Sequence, residues 1–289
     1  MTGLRYGSAP DRRERILALV EEQGFCSTTE LVKALGVSDM TVRRDTQRMA
    51  DKGLVRIVHG GVSVLPPSAL EGSGDYEVRG PLMAEAKQAL GRWAARHIGP
   101  GETFGLDAGT TLLEVARALP ATQPYTMVTH SAPAIAEVMH NRAAQVLCLG
   151  GDLHHDTLSF AGTQTLEAIS QLMIPTLYLA ASGIGERGIF CANDFDAITK
   201  RALIEVSDRV ILVADSSKFA STAMVRVCGL DQIDQIIVDE KITEEDAQKL
   251  QDHHVTISIV PLNATARYLN PAQASAFTTI PDNAVWRTS

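Results

Sequence analysis

The sequence predicts an α/β protein in two parts: a small helical head closed by a β-hairpin, and a larger body built on a mainly parallel sheet. Three observations predict it. From Glu102 onward, short apolar runs alternate with helical patterns, beginning T-F-G-L-D, L-L-E-V-A-R-A-L, Y-T-M-V-T. That alternation is the order of a parallel sheet with helices on both faces. Residues 66–81, P-P-S-A-L-E-G-S-G-D-Y-E-V-R-G-P, carry Pro, Gly and Ser without sustained periodicity and read as a linker. Residues 1–62 hold 10 basic and 8 acidic residues, a surplus of +2 in a chain of net charge −8, which leaves −10 on the remainder. A contact with a polyanion therefore belongs at the head. The expected boundaries are 1–65 for the head, 66–81 for the linker, 82–262 for the body and 263–289 for a C-terminal tail.

The head reads element by element. Asp11 to Gln23 form a helix with Ile16, Leu17, Leu19 and Val20 on its apolar face, stopped at Gly24. Ser27 and Glu30 make a capping box, in which each side chain satisfies a free N–H of the first turn. Leu31, Val32 and Leu35 give the second helix its stripe, and Gly36 ends it. Ser38 caps a third helix running to about Lys52. Two helices joined through Gly-Val-Ser have helix-turn-helix spacing, with the second free to enter a major groove. On it Val42 and Met49 point inward, while Thr41, Arg44 and Arg48 occupy another face with Arg43 beside them. Arginine forks pair with guanine edges or clamp phosphates. The segments flanking His59-Gly60-Gly61 form a hairpin, a wing beside the recognition helix.

In the body, ligands of a parallel α/β sheet sit beyond the C-terminal ends of the strands. Five polar groups follow strands: Asp107-Ala-Gly-Thr-Thr, Thr129-His-Ser, Gly150-Gly-Asp, Ser182-Gly-Ile-Gly and Asp215-Ser-Ser-Lys. Gly109 admits a ligand to the backbone, and Thr110 and Thr111 open a helix whose dipole favours an anion. The turn lacks the lysine and spacing of a nucleotide P-loop. Lys87, Lys200 and Lys218 are the candidate sources of positive charge.

The residues S-D-M-T-V-R-R-D followed by G-L-V-R-I-V-H-G-G resemble the signature of the DeoR family of bacterial transcriptional regulators. L-D-A-G-T-T, V-T-H-S, L-G-G-D, A-S-G-I, T-K-R-A-L-I and A-D-S-S-K-F extend the resemblance over roughly residues 11–240. It implies a winged helix-turn-helix that binds double-stranded operator DNA, and a body similar to sugar-phosphate isomerases that senses a phosphorylated sugar. The implied regulator is a homo-oligomer, dimer or tetramer, repressing a carbohydrate-catabolism operon. The expected DNA contacts are Ser38, Met40, Thr41, Arg43, Arg44, Arg48, His59 and Gly60. The expected effector contacts are Asp107, Gly109, Thr110, Thr111, His130, Ser131, Gly151, Ser182, Lys200 and Lys218. Thr46 and Ile57 depart from the usual pattern in the head, where relatives have an apolar and often a basic residue. His130 and Ser182 depart in the body, where relatives usually carry Asn and many carry Asp.

Other chemistry finds less support. The four cysteines have no C-x-x-C partner and read as free thiols of a reducing cytosol. His154 and His155 are adjacent, so their side chains diverge, and no second ligand pair joins them in a metal site. Ser131 belongs to no nucleophile elbow. No cofactor is implied. The N-terminus has no apolar core of a signal peptide and no run reaches membrane-helix length, so a cytoplasmic, non-membrane protein is expected. Two further readings stay open beside the regulator. One is a sugar-phosphate isomerase with an N-terminal appendage, for which neither Glu186 nor Asp107 stands out as the base. The other is a winged-helix protein-interaction module.

Overall fold

The structure is a computed structural model that describes residues 9–23, 25–51, 54–58, 61–63, 76–221 and 223–262. Helices α1 (Ala9–Gln23), α2 (Thr28–Leu35) and α3 (Asp39–Asp51) build the head with strands β1 (Phe25–Ser27), β2 (Arg56–Val58) and β3 (Gly61–Ser63). The capping box is formed: the Ser27 hydroxyl accepts from the Glu30 N–H and the Glu30 carboxylate accepts from the Ser27 N–H. Gly36 closes α2 at φ 65°, a left-handed turn that suits glycine and aims the chain back towards α3. Ile16, Val20, Leu31, Val42, Met49, Val55 and Val62 fill the core. Thr46 is buried with its hydroxyl satisfied, its one hydrogen shared between the carbonyls of Val42 and Arg43 at 2.9 and 3.1 Å. The wing is more than a hairpin: β3 lies between β2 and β1, in the order β1-β3-β2. A three-residue strand holding a core cysteine offers no period to read, so β1 was invisible in the sequence.

A pair of charges ties α1 to α3. The Arg12 guanidinium donates through Nε and Nη2 to Asp45 Oδ2 at 2.8 and 2.7 Å, and Arg13 Nη1 lies 3.8 Å from Oδ1. Asp45 is 1% exposed, so the inward face of the third helix is held by an ion pair as well as by packing.

The body follows β4 (Thr103–Leu106), β5 (Tyr125–Thr129), β6 (Ala144–Cys148), β9 (Leu177–Leu179), β12 (Val210–Val213), β14 (Gln235–Asp239) and β15 (Thr256–Val260) into one seven-stranded sheet. Every pairing in it is parallel. Side chains alternate between two cores: Tyr178 joins Phe104 and Leu106 on one face, Leu177 and Leu179 join Leu203 and Leu212 on the other. The strand order, β15-β14-β12-β9-β4-β5-β6, runs outward in both directions from the β4–β9 junction. That junction is the switch point where such sheets open a crevice. Two smaller antiparallel elements were missed by the sequence. They are the hairpin β7 (Asp152–His154) with β8 (Ser159–Ala161), and the sheet of β10 (Gly183–Gly185), β11 (Gly188–Cys191) and β13 (Val225–Cys228). All are three or four residues long, below the length at which alternation is legible.

Within the stretch read as linker, Tyr76–Arg79 forms one helical turn, α4. Its Tyr76 N–H donates to the Asp156 carbonyl at 2.6 Å, and the buried Lys87 ammonium on helix α5 (Ala84–Arg96) donates to the Arg79 carbonyl at 2.5 Å. The rest of that stretch through Asp75, and the tail from Asn263, lie outside the described residues.

Helix α5 packs closely on α6 (Thr110–Ala118), the helix after β4. A Cβ at Gly91 would lie 2.5 Å from the Glu114 carbonyl carbon. Gly91→Ala is therefore expected to destabilise the body, overpacking of about 1–3 kcal/mol exceeding the roughly 1 kcal/mol of helix propensity gained. Thermal melting checks it; a raised Tm would show that the helices have room to part.

Candidate DNA interface and effector pocket

The third helix presents two faces. Val42, Asp45, Thr46 and Met49 are buried, while Met40 is 78% exposed and Arg43, Arg44 and Arg48 are exposed. Ser38 caps the helix, its hydroxyl accepting from the Thr41 N–H at 3.3 Å and lying 2.9 Å from the Thr41 hydroxyl. Met40, Thr41, Arg43 and Arg44 thus crowd the N-terminal half, the end that meets base edges when such a helix enters a major groove. Arg43 pairs there with Asp39 at 2.6 Å in a solvated i, i+4 bridge, which is weak enough to exchange for a phosphate or a base. Arg48 sits a further turn along and also lines a groove against α1 with Pro10, Leu17, Met49 and Leu54. His59 and Gly60 lie outside the described residues.

A small pocket of the body, about 10 Å³ in volume, forms at the switch point. Arg79, Ala108, Gly109, Thr157, Ala180, Ala181, Ser182, Asp196 and Lys200 line it. Three of the expected effector contacts meet there: Gly109, Ser182 and Lys200. Gly109 holds φ 144° at the start of α6, a conformation side chains resist, and its missing Cβ leaves the space beside Ala180 open.

Directly behind the pocket, Asp107 is fully buried and joined on all sides. Its Oδ2 accepts from the Lys200 ammonium and from the Ala180 N–H at 3.0 Å, and its Oδ1 lies 3.0 Å from His130 Nε2. Burial alone would raise the Asp107 pKa. The Lys200 charge, together with the hydrogen bond and charge of His130, outweighs it and holds the carboxyl at about 2. Burial likewise disfavours the charged form of Lys200, but Asp107 and Asp196, the latter 3.4 Å away, keep its pKa above the usual lysine range. The nearby Cys191 thiol is pushed up to about 12, by burial first and then by Asp196, so it stays a thiol at neutral pH.

The remaining expected contacts stand apart from this lining. Thr110 and Thr111 are buried in the first turn of α6. Ser131 caps the next helix, accepting from the Ala134 N–H at 3.3 Å. Gly151 turns a loop at φ 134°, where a Cβ would lie 2.2 Å from the Thr165 hydroxyl. Lys218 is buried in the helical turn Ser216–Phe219, and its ammonium has no hydrogen-bond or ion-pair partner among the described residues. The sequence reading missed Arg79, hidden in a stretch of linker composition, Thr157, and Asp196. Asp196 had a signal in hindsight, since it stands four residues before Lys200 on the same helix.

Among the described residues, no cluster of His, Cys, Asp and Glu is placed to hold a metal ion. His154 stacks on Phe195 instead, ring centroids 3.8 Å apart. Cys26, Cys191 and Cys228 are buried and Cys148 is exposed, all as free thiols. No helix among the described residues is long and apolar enough to cross a membrane.

Comparison with known proteins adds the family. A model described as a DeoR-like helix-turn-helix domain matches residues 12–67, and one described as a DeoR C terminal sensor domain matches residues 82–240. The glycerol-3-phosphate regulon repressor of Escherichia coli (strain K12) is 33% identical over 249 residues, which are 86% of this chain and 98% of that protein. The putative aga operon transcriptional repressor of Escherichia coli O157:H7 is 28% identical over 257 residues, 89% of this chain and 96% of that protein. Ribose 5 phosphate isomerase A from Neisseria gonorrhoeae superposes with TM-score 0.35 at 14% identity, over 47% of this chain and 53% of its own. That overlap is too slight to bear on fold or activity.

Proposed function

The chain belongs to the DeoR family of transcriptional regulators, and on that premise we propose that it is a cytoplasmic homo-oligomer, dimer or tetramer, released from its operator by a phosphorylated sugar. It is a DNA-binding transcriptional repressor and not an enzyme, as its relatives are named repressors over most of their length. The isomerase reading is set aside on the same ground. The single observation that carries the proposal is the division of labour within the chain. An exposed Met40–Arg43–Arg44 face, with Thr41 half-buried beside it, is suited to a groove, and a lysine-bearing pocket sits at the ligand crevice of the sheet. In the proposed role Gly109, Ser182 and Lys200 receive the phosphate end and neighbouring hydroxyls, with Thr110, Thr111, Ser131, Gly151 and Lys218 shaping the loops around them. Asp107 and His130 set the charge behind them. Ser38 and Arg48, with His59 and Gly60 of the wing, flank the bases read by the helix.

The test is a titration of the full chain with the DNA upstream of its own gene at two salt concentrations, repeated with a panel of sugar phosphates that includes glycerol 3-phosphate. Tight, salt-dependent, sequence-selective binding relieved by one compound is expected. The coupling is reciprocal, so operator DNA must weaken binding of that compound by the same factor. Equal affinity in free and DNA-bound protein would sink the release mechanism. Arg44→Ala is expected to cost about 1–3 kcal/mol of operator binding and to relax discrimination at one base pair. A uniform loss over all sequences with a shallower salt slope would make Arg44 a phosphate contact instead.

A further inference from the structure

His130 is 1% exposed, and each of its ring nitrogens faces an atom that only accepts. Nδ1 lies 2.9 Å from the Phe160 carbonyl oxygen and Nε2 lies 3.0 Å from the Asp107 carboxylate. A neutral imidazole has one N–H and serves one of them. When that N–H is on Nδ1, the Nε2 lone pair accepts from the Ala108 N–H, 3.2 Å away, and Asp107 loses a donor. When both nitrogens are protonated, Phe160 and Asp107 are both satisfied and Ala108 gives up its acceptor. With the one N–H on Nε2, Asp107 keeps its donor and the Phe160 carbonyl has none. His130 therefore stands among three hydrogen-bonding states, of which only the doubly protonated one serves both acceptors. Ala108, whose N–H is accepted only when Nε2 is unprotonated, lines the pocket.

The charges around the site give this exchange a consequence. Lys200 is matched by Asp107 and also faces Asp196, so by themselves these three groups carry a net negative charge. The Cys191 thiol is uncharged at neutral pH. Among the described residues, His130 is the one group of this set whose side-chain type ordinarily changes charge between about pH 5 and 8. A proton on it offsets that negative charge, in a buried place where screening is weak.

We propose that His130 is a positioning residue that makes the pocket proton-linked: an oxyanion such as a phosphate ester enters together with a proton on His130, so acidification tightens its binding. This rests on the reading of the pocket as the effector site and adds to it a dependence on pH. The doubly protonated His130 acts through Asp107, giving that carboxylate a charged donor from behind and easing its hold on Lys200, which then turns its charge to the entering anion. By linkage, the anion favours protonation of His130 as much as the proton favours the anion.

Inorganic sulfate is the suitable probe, because its charge is constant over this range whereas a phosphate ester itself titrates near pH 6. The full chain, His130→Asn and His130→Gln are titrated calorimetrically with sulfate at pH 8 and at pH 5.5. The wild type is also measured in two buffers of different ionisation enthalpy to count protons taken up. The expected result is a gain of about tenfold or more in wild-type affinity on acidification, with proton uptake, and a change under twofold in both variants. Identical pH slopes in wild type and variants, or wild-type binding without proton uptake, would overturn the proposal while leaving the anion pocket in place. The absence of sulfate and sugar-phosphate binding by the wild type at both pH values would overturn the pocket reading and this inference with it.

Discussion

Replacing Asp107 by alanine is expected to destabilise the body by about 3–5 kcal/mol, the usual cost of removing one partner from a buried ion pair, and to abolish the response to effector. The carboxylate joins strand β4 to the Lys200 ammonium, the Ala180 N–H and His130. Its loss leaves Lys200, 2% exposed, with Asp196 as its one ion-pair partner among the described residues. The head has its own core and is expected to go on binding operator DNA. Urea unfolding, with an operator titration in the presence and absence of effector, reads both parts. Adding Lys200→Met to Asp107→Asn should restore much of the stability without restoring the response, which separates the structural cost from the functional one. A response that survives Asp107→Ala would show that the pocket lies elsewhere. The pH dependence has a definite sign. Asp107 is held at about 2, below its ordinary 3.8. Its stabilisation is thus complete above about pH 4 and is lost as the pH falls towards 2.

The second large effect belongs to the head. Asp45→Ala removes the acceptor that Arg12 grips with two nitrogens and that Arg13 approaches. The expected cost is about 3 kcal/mol, the lower end of the range for a buried pair, because the Arg12 side chain keeps 14% of its exposure. A domain of about sixty residues has little stability to spare. The head should therefore unfold in large part, and DNA of every sequence should be lost together, while the melting of the body is unchanged. Asp45 adjoins Arg44, yet the two variants should fail differently: Arg44→Ala leaves a folded head with altered preference. If Asp45→Ala kept head helicity and changed only sequence preference, Asp45 would be a contact to DNA and not a brace.

Much of this could be read in the sequence where the signal is local. The capping box at Ser27 and Glu30, the turn at Gly36 and the cap at Ser38 each need only neighbours a few residues apart, and each is present. The inner strands of the parallel sheet were legible because both of their faces are buried, which makes them continuous apolar runs. What escaped depends on separation in the chain. The Arg12–Asp45 pair spans 33 residues and the Asp107–Lys200 pair 93. No spacing rule reaches that far. Asp107, after β4, was expected at the ligand, but the fold turns it inward to hold a lysine. Arg79 was missed because its neighbours have the composition of a linker, and α4 is too short to show a period.

Strand β3 decides where this protein can be taken apart. Because β3 pairs on one side with the wing strand β2 and on the other with β1, at the junction of the first two helices, the recognition helix is not a detachable cassette. A graft ending after Asp51 would leave β1 without its neighbour and open the core at Val62. A hybrid regulator that gives this body a different operator specificity should therefore cross over beyond Ser63, exchanging helices and wing as one piece.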